Sequence, residues 1–173
     1  MRSPRKLNTP RLALEPFSLD DADDLFSIRG DPLAMVYWDW PGDTTVDQTR
    51  AVAHIFVEDM KRGTGFYWTV RSRTTGEFVG VADLSERTSD RADLGFMIRR
   101  DLWGRGYASE VAAAVVDEAW AAGLTRLTAR CHADNTRSTH LLKRLRFLEV
   151  SARPVEIRPG VIRQCRFFEL PRP

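Results

Sequence analysis

Apolar residues recur along the chain with two different periods, and these periods predict its secondary structure. Alternation every two residues predicts strands at 9–16, 66–71, 78–84, 93–99, 126–132, 147–157 and 161–170. Spacings of three and four residues predict helices at 19–28, 46–62, 106–122 and 135–144. Acidic residues in the first turn of the first helix, and glycines after the second and third helices, support these boundaries.

The order of these elements restricts the fold. Three consecutive strands precede a single strand–helix–strand crossover, which differs from the strict alternation of a Rossmann fold. The crossover predicts that strands 93–99 and 126–132 are parallel neighbours. We therefore predict an α/β fold of the α+β type, with a mixed, mostly antiparallel sheet of about seven strands and about four helices. The absence of a linker or repeat predicts a single domain over residues 1–173, with a flexible tail at 1–8.

Charge becomes informative when it is divided along the chain. The formal net charge is only +2, but residues 15–59 hold 11 acidic and 2 basic side chains, whereas residues 60–173 hold 13 acidic and 20 basic ones. This asymmetry indicates two faces with different partners, and the small total argues against a nucleic-acid-binding domain. Without a long apolar run, a secretory pattern or metal-ligand spacing, we expect a cytoplasmic protein with no membrane partner and no metal. Cys131 is expected to be a small buried residue rather than a nucleophile.

The most informative segment is the loop that follows strand 93–99. Its sequence, Trp103-Gly104-Arg105-Gly106-Tyr107-Ala108, leads directly into the longest helix. Glycines let backbone N–H groups converge, and a helix N-terminus adds unpaired donors and a positive dipole end. Arg99, Arg100 and Arg105 add positive charge. The loop therefore predicts an anion site suited to a pyrophosphate, with a plain strand-to-helix turn as the alternative.

The same loop resembles the acyl-CoA loop, Gln/Arg-x-x-Gly-x-Gly/Ala, of the GNAT superfamily of N-acyltransferases. Trp103 replaces the Gln/Arg, as is familiar in the branch that acetylates the N-termini of ribosomal proteins. The segment from Asp134 to Phe147 resembles that branch's Asn-x-x-Ser…Leu-x-Lys-Leu-Gly-Phe signature, with Arg144 at the lysine and Arg146 at the glycine. Segments 10–17 and 37–41 are also typical of it, so the resemblance covers nearly the whole chain.

This resemblance implies a GNAT-like sheet whose two central parallel strands splay apart, with acetyl-CoA as cosubstrate. The pantetheine arm would enter the gap and pair with the backbone of the first of these strands, and the pyrophosphate would rest on the glycine loop. Asn135 would contact the arm or a nearby backbone, and Arg144 would approach the CoA phosphates or lie in solvent. The implied coenzyme-binding residues are Met97, Ile98, Trp103, Gly104, Arg105, Gly106, Tyr107, Ala108, Asn135 and Arg144.

Direct transfer of an acetyl group to an amine needs a proton acceptor and gains modestly from a proton donor. Many GNAT enzymes use a tyrosine as the acid, but Leu142 occupies that position, and the branch uses its signature serine, which points to Ser138. The alternative is that the Ser138 hydroxyl bonds to the first turn of the last helix. Asp93 stands where the branch often has the base. Glu86, Asp83, His132 and a water relay are the alternatives.

The aromatic loop formed by Tyr37, Trp38 and Trp40 is expected either to line the acceptor site or to cover the core as a lid. Asp39 and Asp43 would attract a cationic amine there, and Asp83, one of the alternative bases, would face the acceptor. The acceptor best supported by the resemblance is a protein N-terminal α-amine.

Other functions are open on the sequence alone. A small amine or an aminoglycoside is an alternative acceptor within the same enzyme class. A degenerate CoA-binding sensor or interaction module without turnover is an alternative from another class. The resemblance also carries a homodimer as a family-level inference.

Overall fold

The computed structural model describes residues 4–173, which form one eight-stranded sheet with helices against both faces. The strands are β1 (Leu7–Asn8), β2 (Leu12–Pro16), β3 (Phe66–Ser72), β4 (Phe78–Ser85), β5 (Arg91–Ile98), β6 (Arg126–His132), β7 (Leu148–Arg158) and β8 (Val161–Pro171). The α-helices are α1 (Ala22–Arg29), α2 (Val46–Arg62), α3 (Tyr107–Ala121) and α4 (Thr136–Arg144). Two short 3-10 turns, at Leu19–Asp21 and Arg100–Leu102, precede α1 and α3.

All seven predicted strands and all four predicted helices are present, and β1 is an additional strand. Leu7 and Asn8 pair with β2, so they belong to the sheet and not to the flexible tail predicted at 1–8. Nearby, the Arg5 Nε donates to a Glu118 carboxylate oxygen of α3 at 3.1 Å. A two-residue strand is too short to show a period, which is why the sequence pattern missed it. The first three residues lie outside the described part of the chain.

The strand order across the sheet is β1-β2-β3-β4-β5-β6-β8-β7. Neighbouring strands are antiparallel except for β5 and β6, which confirms the predicted parallel pair. Helices α3 and α4 pack on one face of the sheet, and α1 and α2 pack on the other. We call these the α3 face and the α2 face.

Amphipathic stripes fix the two helical layers. On α3, the predicted stripe of Val111, Val115 and Ala119 is completely buried. On α2, the buried stripe runs through Thr49 and Ala53, and Ile55 lies off this stripe and is 57% exposed. Among residues 4–173, no helix combines the length and the hydropathy needed to cross a lipid bilayer.

Strands β5 and β6 pair over only three residue pairs, which end at Asp93 and Thr128. Beyond this point β5 continues to Ile98 and β6 to His132, with no strand pairing between them in the described residues. The two central strands therefore splay apart, as the resemblance implied. Backbone polar groups along the resulting gap need partners, so the gap is suited to a ligand that supplies them.

Candidate active site

The glycine loop lies at the open end of the gap and places backbone donors there. Gly104 and Gly106 have φ angles of +77° and +81°, a left-handed conformation that side chains other than glycine rarely adopt. Gly106 is the N-cap of α3. Within the described chain, the backbone N–H groups of residues 104–109 donate no hydrogen bond, as is usual at the start of a helix. These free donors have the arrangement that the predicted anion site requires.

Two side chains attach this loop to its surroundings. The Trp103 Nε1 donates to the Ile98 carbonyl at 2.8 Å, and the Arg137 guanidinium lies 5.0 Å from the centre of the Trp103 ring. Arg144 donates to the Ser109 hydroxyl in the first turn of α3. Trp103 therefore fixes the loop to the end of β5, and Arg144 places a positive charge beside the free N–H groups.

Two of the three arginines predicted to add charge to the loop pair with carboxylates, whereas the Arg105 guanidinium lies 3.5 Å from the Asp101 carbonyl. Arg99 bonds to Asp101 at 2.7 Å, and Arg100 bonds to Asp31 at 2.6 Å. These two arginines do not add free charge to the loop. Tyr107 packs against Arg11, whose guanidinium lies 4.5 Å from the ring centre. Tyr107 is thus placed to contribute to the anion site through its backbone rather than its side chain.

The alternation of hydrogen bonds along β5 decides which residues face the gap. The Arg99 N–H donates to the Val79 carbonyl at 3.0 Å, so Arg99 and, two residues earlier, Met97 direct their backbone groups to β4. Ile98 and Phe96 then direct theirs to the gap. The geometry supports Ile98 as a backbone partner for a ligand but not Met97, and Phe96 is the position that the sequence missed.

The N-terminus of α4 follows the open end of β6. The Asn135 Oδ1 accepts from the Ser138 N–H at 3.1 Å, so Asn135 is the N-cap of α4. Ser138 is half-buried, and its hydroxyl has no hydrogen-bond partner among the described residues. The alternative role for that hydroxyl, bonding the helix's first turn, is therefore not observed. Cys131 is buried, with its Sγ 3.5 Å from the Thr139 hydroxyl, as expected for a packing residue.

A groove of about 510 Å³ lies where β5 and β6 part, lined by side chains from the end of β4 and from β5 to β8. We call it the sheet groove. Its main polar and aromatic lining residues are Glu86, Asp93, Thr128, Arg130, Arg153, Phe167 and Glu169. The groove therefore brings together two predicted catalytic residues, Glu86 and Asp93. In the described structure no contact joins Ser138 to either of them.

Two carboxyl groups lie beside the closed end of the gap. Asp83 occupies the space above Gly95, where a Cβ would lie only 2.3 Å from the Asp83 Oδ1. Burial and, to a smaller extent, the nearby charge of Asp93 together raise the pKa of Asp83 to about 7, against hydrogen bonds from Ser85 that lower it. Burial also raises the pKa of Asp93, although the Thr128 hydroxyl donates to it at 2.7 Å. With a pKa of about 7, the Asp83 carboxyl group can exchange a proton near neutral pH.

The two remaining candidate bases differ in their surroundings. Glu86 is exposed at the groove, in a left-handed conformation with φ of 48°. Its charge is one of the causes that raise the pKa of Asp93. His132 accepts from the Asp134 N–H through Nδ1 at 3.1 Å, and its ring lies 5.3 Å from that of Tyr37. His132 is therefore associated with the aromatic loop rather than with the carboxyl groups.

The aromatic loop combines both predicted roles. Trp38 packs against the core of the α2 face, whereas Trp40 is 61% exposed. Tyr37 lies against His132, and Asp39 pairs with Arg130 of the sheet groove. The loop is thus a partial lid over the core that also borders the groove.

Several carboxylates of the acidic segment pair with basic or polar side chains. Asp43, predicted to attract an amine, instead accepts from Arg29 at 2.7 Å and from Thr49 at 2.6 Å. Asp39 is likewise occupied by Arg130. Asp31 pairs with a basic residue of the later segment, and so do Asp21 and Asp24. Asp21, Asp24, Asp31 and Asp39 of the acidic segment therefore form ion pairs with arginines of the later segment.

Comparison with known proteins identifies the family. The profile of the GNAT acetyltransferase domain matches residues 11–148. The chain therefore belongs to the GNAT family, whose members are acetyl-CoA-dependent acetyltransferases. The uncharacterized N-acetyltransferase p20 of Bacillus licheniformis is 29% identical over 144 residues, which cover 82% of this chain and 81% of that protein.

Solved structures agree with this fold. The acetyltransferase from Salmonella typhimurium that modifies the N-terminal serine of ribosomal protein L7/L12 superposes with a TM-score of 0.84 at 16% identity, covering 95% of this chain and 97% of that one. Spermidine N-acetyltransferase from Vibrio cholerae, in complex with CoA and spermine, superposes with a TM-score of 0.82 at 15% identity, covering 94% and 96%. At these identities the likeness concerns the fold alone.

Acetyl-CoA fits the residues that the chain provides. The free N–H groups at the start of α3, with Arg144 beside them, suit a pyrophosphate. The unpaired edges of β5 and β6 suit the amide groups of a pantetheine arm.

Sequence reasoning missed the side chains that complete the sheet groove: Thr128, Arg130, Arg153, Phe167 and Glu169. A signal for two of them was present. Leu127 and Ala129 belong to the core of the α3 face, so the intervening Thr128 and Arg130 must point to the opposite face. The residues of β7 and β8 gave a weaker signal, because β7 is exposed along most of its length.

Proposed function

We propose that this chain transfers the acetyl group of acetyl-CoA to the α-amine of a protein N-terminus. One observation carries the proposal: the gap and the sheet groove meet at Asp93 and Thr128, where β5 and β6 part. A thioester reaching this point through the gap and an amine reaching it through the groove would meet beside the carboxyl groups of Asp83 and Asp93.

On the coenzyme side, the chain binds and orients. The backbone N–H groups of residues 104–109 and the Arg144 guanidinium hold the pyrophosphate. The backbone groups of Phe96 and Ile98 pair with the pantetheine arm, which aligns the thioester with the gap. When bound, acetyl-CoA supplies the activated acetyl group.

On the acceptor side, the carboxyl groups attract the amine and accept its proton. An α-amine has a pKa of roughly 7.7–8.0 and arrives mostly protonated. Glu86 attracts this cation, and the Asp83 and Asp93 pair accepts its proton. The freed nitrogen attacks the thioester carbonyl, a C–N bond forms and the C–S bond breaks. The second proton of the nitrogen passes to the departing thiolate, so that CoA leaves as the thiol. The Ser138 hydroxyl donates a hydrogen bond to the departing sulfur.

The pKa of Asp83 supports an α-amine over a lysine side chain. Proton transfer from an α-amine to a carboxylate of pKa about 7 is nearly balanced. The same transfer from a lysine side chain, whose pKa is about 10.4, is unfavourable by about three pKa units. Two carboxyl groups with raised pKa values beside the gap also support turnover over a CoA-sensing module.

A polyamine is the second candidate acceptor. It is favoured by three carboxylates in the groove, those of Glu86, Asp93 and Glu169. Arg130 and Arg153 line the same groove and would repel an extended polycation. Because the groove is lined by both negative and positive side chains, it favours a peptide over a polyamine as the acceptor.

Thiol release from acetyl-CoA, with mass spectrometry of the products, tests this function. The acceptors are unblocked peptides, the same peptides with a blocked N-terminus and one internal lysine, and spermidine. We expect thiol release with the unblocked peptides and acetylation at their first nitrogen. Release with spermidine alone would favour the second candidate, and CoA binding without release for any amine would indicate a sensor.

A further inference from the structure

The sheet groove contains a guanidinium that has no acidic partner. Arg153 of β7 lines the groove, and its guanidinium lies 4.4 Å from the centre of the Phe167 ring. In the described part of the chain, no carboxylate pairs with it. The neighbouring cations differ, since Arg130 pairs with Asp39 and Arg166 pairs with Glu149. Arg153 is therefore a positioned cation that remains available for a ligand.

Strand register gives its position relative to the carboxyl groups. The register places Asp93 of β5, Thr128 of β6 and Glu169 of β8 opposite one another. We call this line of residues, which has a carboxylate at each end, the carboxylate row. Phe167, two residues before Glu169 on β8, lies one step further along the same face. Two residues of a strand span about 7 Å. Because the Arg153 guanidinium lies over Phe167, it is about one such step from the carboxylate row.

This spacing fits a short peptide that carries its own carboxylate. An α-amine at the carboxylate row leaves the second and third residues to run along the groove at about 3.3 Å each. An Asp or Glu side chain at either position then reaches Arg153. A guanidinium stacked on an aromatic ring keeps its fork of donors free for a bidentate carboxylate contact.

We propose that the acceptor is a protein N-terminus with Asp or Glu at its second or third residue, and that Arg153 is the residue that selects it. The inference rests on the proposed function, and it assigns the chemistry of the peptide beyond the amine. A basic residue at either position faces Arg153 and is disfavoured.

Steady-state kinetics with matched peptides test the selection. The peptides share one N-terminal serine and carry Glu, Gln or Lys at the second or at the third residue. We expect kcat/KM for the Glu peptide to exceed that for the Lys peptide about tenfold at one of these positions at least, mainly through KM. Arg153→Gln should remove this preference, and Arg153→Glu should reverse it.

The controls separate this inference from the proposed function. Arg126→Glu makes the same change of charge at an exposed β6 residue outside the groove lining, and should keep the wild-type preference. CoA affinity of each variant verifies that it is folded. If peptides are acetylated but neither an acidic residue nor Arg153 affects kcat/KM, the selection is overturned while the function stands. If no peptide is acetylated, both are overturned.

Discussion

The two ends of the site are built in different ways. The coenzyme end is formed by consecutive backbone N–H groups in residues 104–109, held by two left-handed glycines. The acceptor end is assembled from side chains of five strands, together with the aromatic loop that borders it. A site made of backbone depends on conformation, whereas a site made of side chains depends on the identity of each residue.

This difference explains what the chain tolerates at each end. Trp103 replaces the Gln/Arg of the family pattern, yet the loop keeps its shape because the indole N–H bonds to the end of β5. At the acceptor end, Asp83 keeps its place only because Gly95 has no side chain. Changes at the two ends should therefore separate coenzyme binding from turnover.

The largest expected effect is on turnover, at the acceptor end. Asp83→Asn keeps the shape of the side chain but removes its capacity to accept a proton. We expect kcat/KM for the peptide to fall by about 10²- to 10⁴-fold, the usual contribution of a general base, while CoA affinity stays unchanged. Thiol-release kinetics and calorimetric titration with CoA measure the two quantities.

The pH dependence of the same variant provides the control. In the wild type, kcat/KM should fall as pH drops through about 7, because Asp83 takes up a proton, and this inflection should be absent in Asp83→Asn. The folded-state pKa exceeds the unfolded value of about 3.9, so the stability linked to Asp83 is fully present below about pH 4 and is lost as pH rises through about 7. Asp83→Asn should then have a higher Tm than the wild type at pH 8. Unchanged kinetics in this variant would remove Asp83 from the mechanism.

The next largest effect concerns the coenzyme end. Gly106→Val places a β-branched residue at φ of +81°, which forces the loop to change conformation and disperses its N–H groups. We expect the Kd for CoA to rise about 100-fold, the loss of one or two hydrogen bonds to a charged group. Gly76→Val is the matched control, because Gly76 has a φ of +74° and lies in the turn between β3 and β4. Equal loss of CoA affinity in both variants would refute the placement of the pyrophosphate.

The smallest expected effect is on stability, at Arg146, and it should leave CoA affinity and turnover unchanged. Arg146 occupies the glycine position of the family signature and adopts φ of +68°. The turn therefore forms without glycine, at a cost of about 1–2 kcal/mol. Arg146→Gly should raise Tm by about 2–4 °C without altering kcat/KM or CoA affinity. A change in either kinetic quantity would show that this turn communicates with the site.

Sequence patterns predicted the conformation of the glycine loop and of the helix after it, since both lie in one continuous segment. Gly104 and Gly106 signal their backbone conformation directly, and the helix that follows has a clear apolar stripe. The fold was predictable for the same reason, because the spacing of apolar residues within each segment indicates whether it is a strand or a helix. The sequence does not show which residues of β5 direct their backbone groups to β4 and which to the gap. Met97 was therefore predicted, whereas the backbone of Phe96 faces the gap.

The acceptor end was only partly predictable. Asp93 and Glu86 were found as polar residues near the ends of strands, but Arg153 and Glu169 are brought to them by the pairing of β6 with β8 and of β8 with β7. No local pattern encodes which strands become neighbours. Ion pairing was hidden as well, since Asp39 and Asp43 look free in the sequence and are occupied in the fold.

The short pairing of β5 with β6 also has a mechanical consequence. The sheet consists of two halves, β1 to β5 and β6 to β8, that share only three residue pairs at one end of a seam. Among the strand pairings from β2 to β8, bending along this seam disrupts the fewest paired residues. A ligand lying in the gap, as we propose for acetyl-CoA, would add hydrogen bonds across the seam and stiffen the sheet for as long as it is bound.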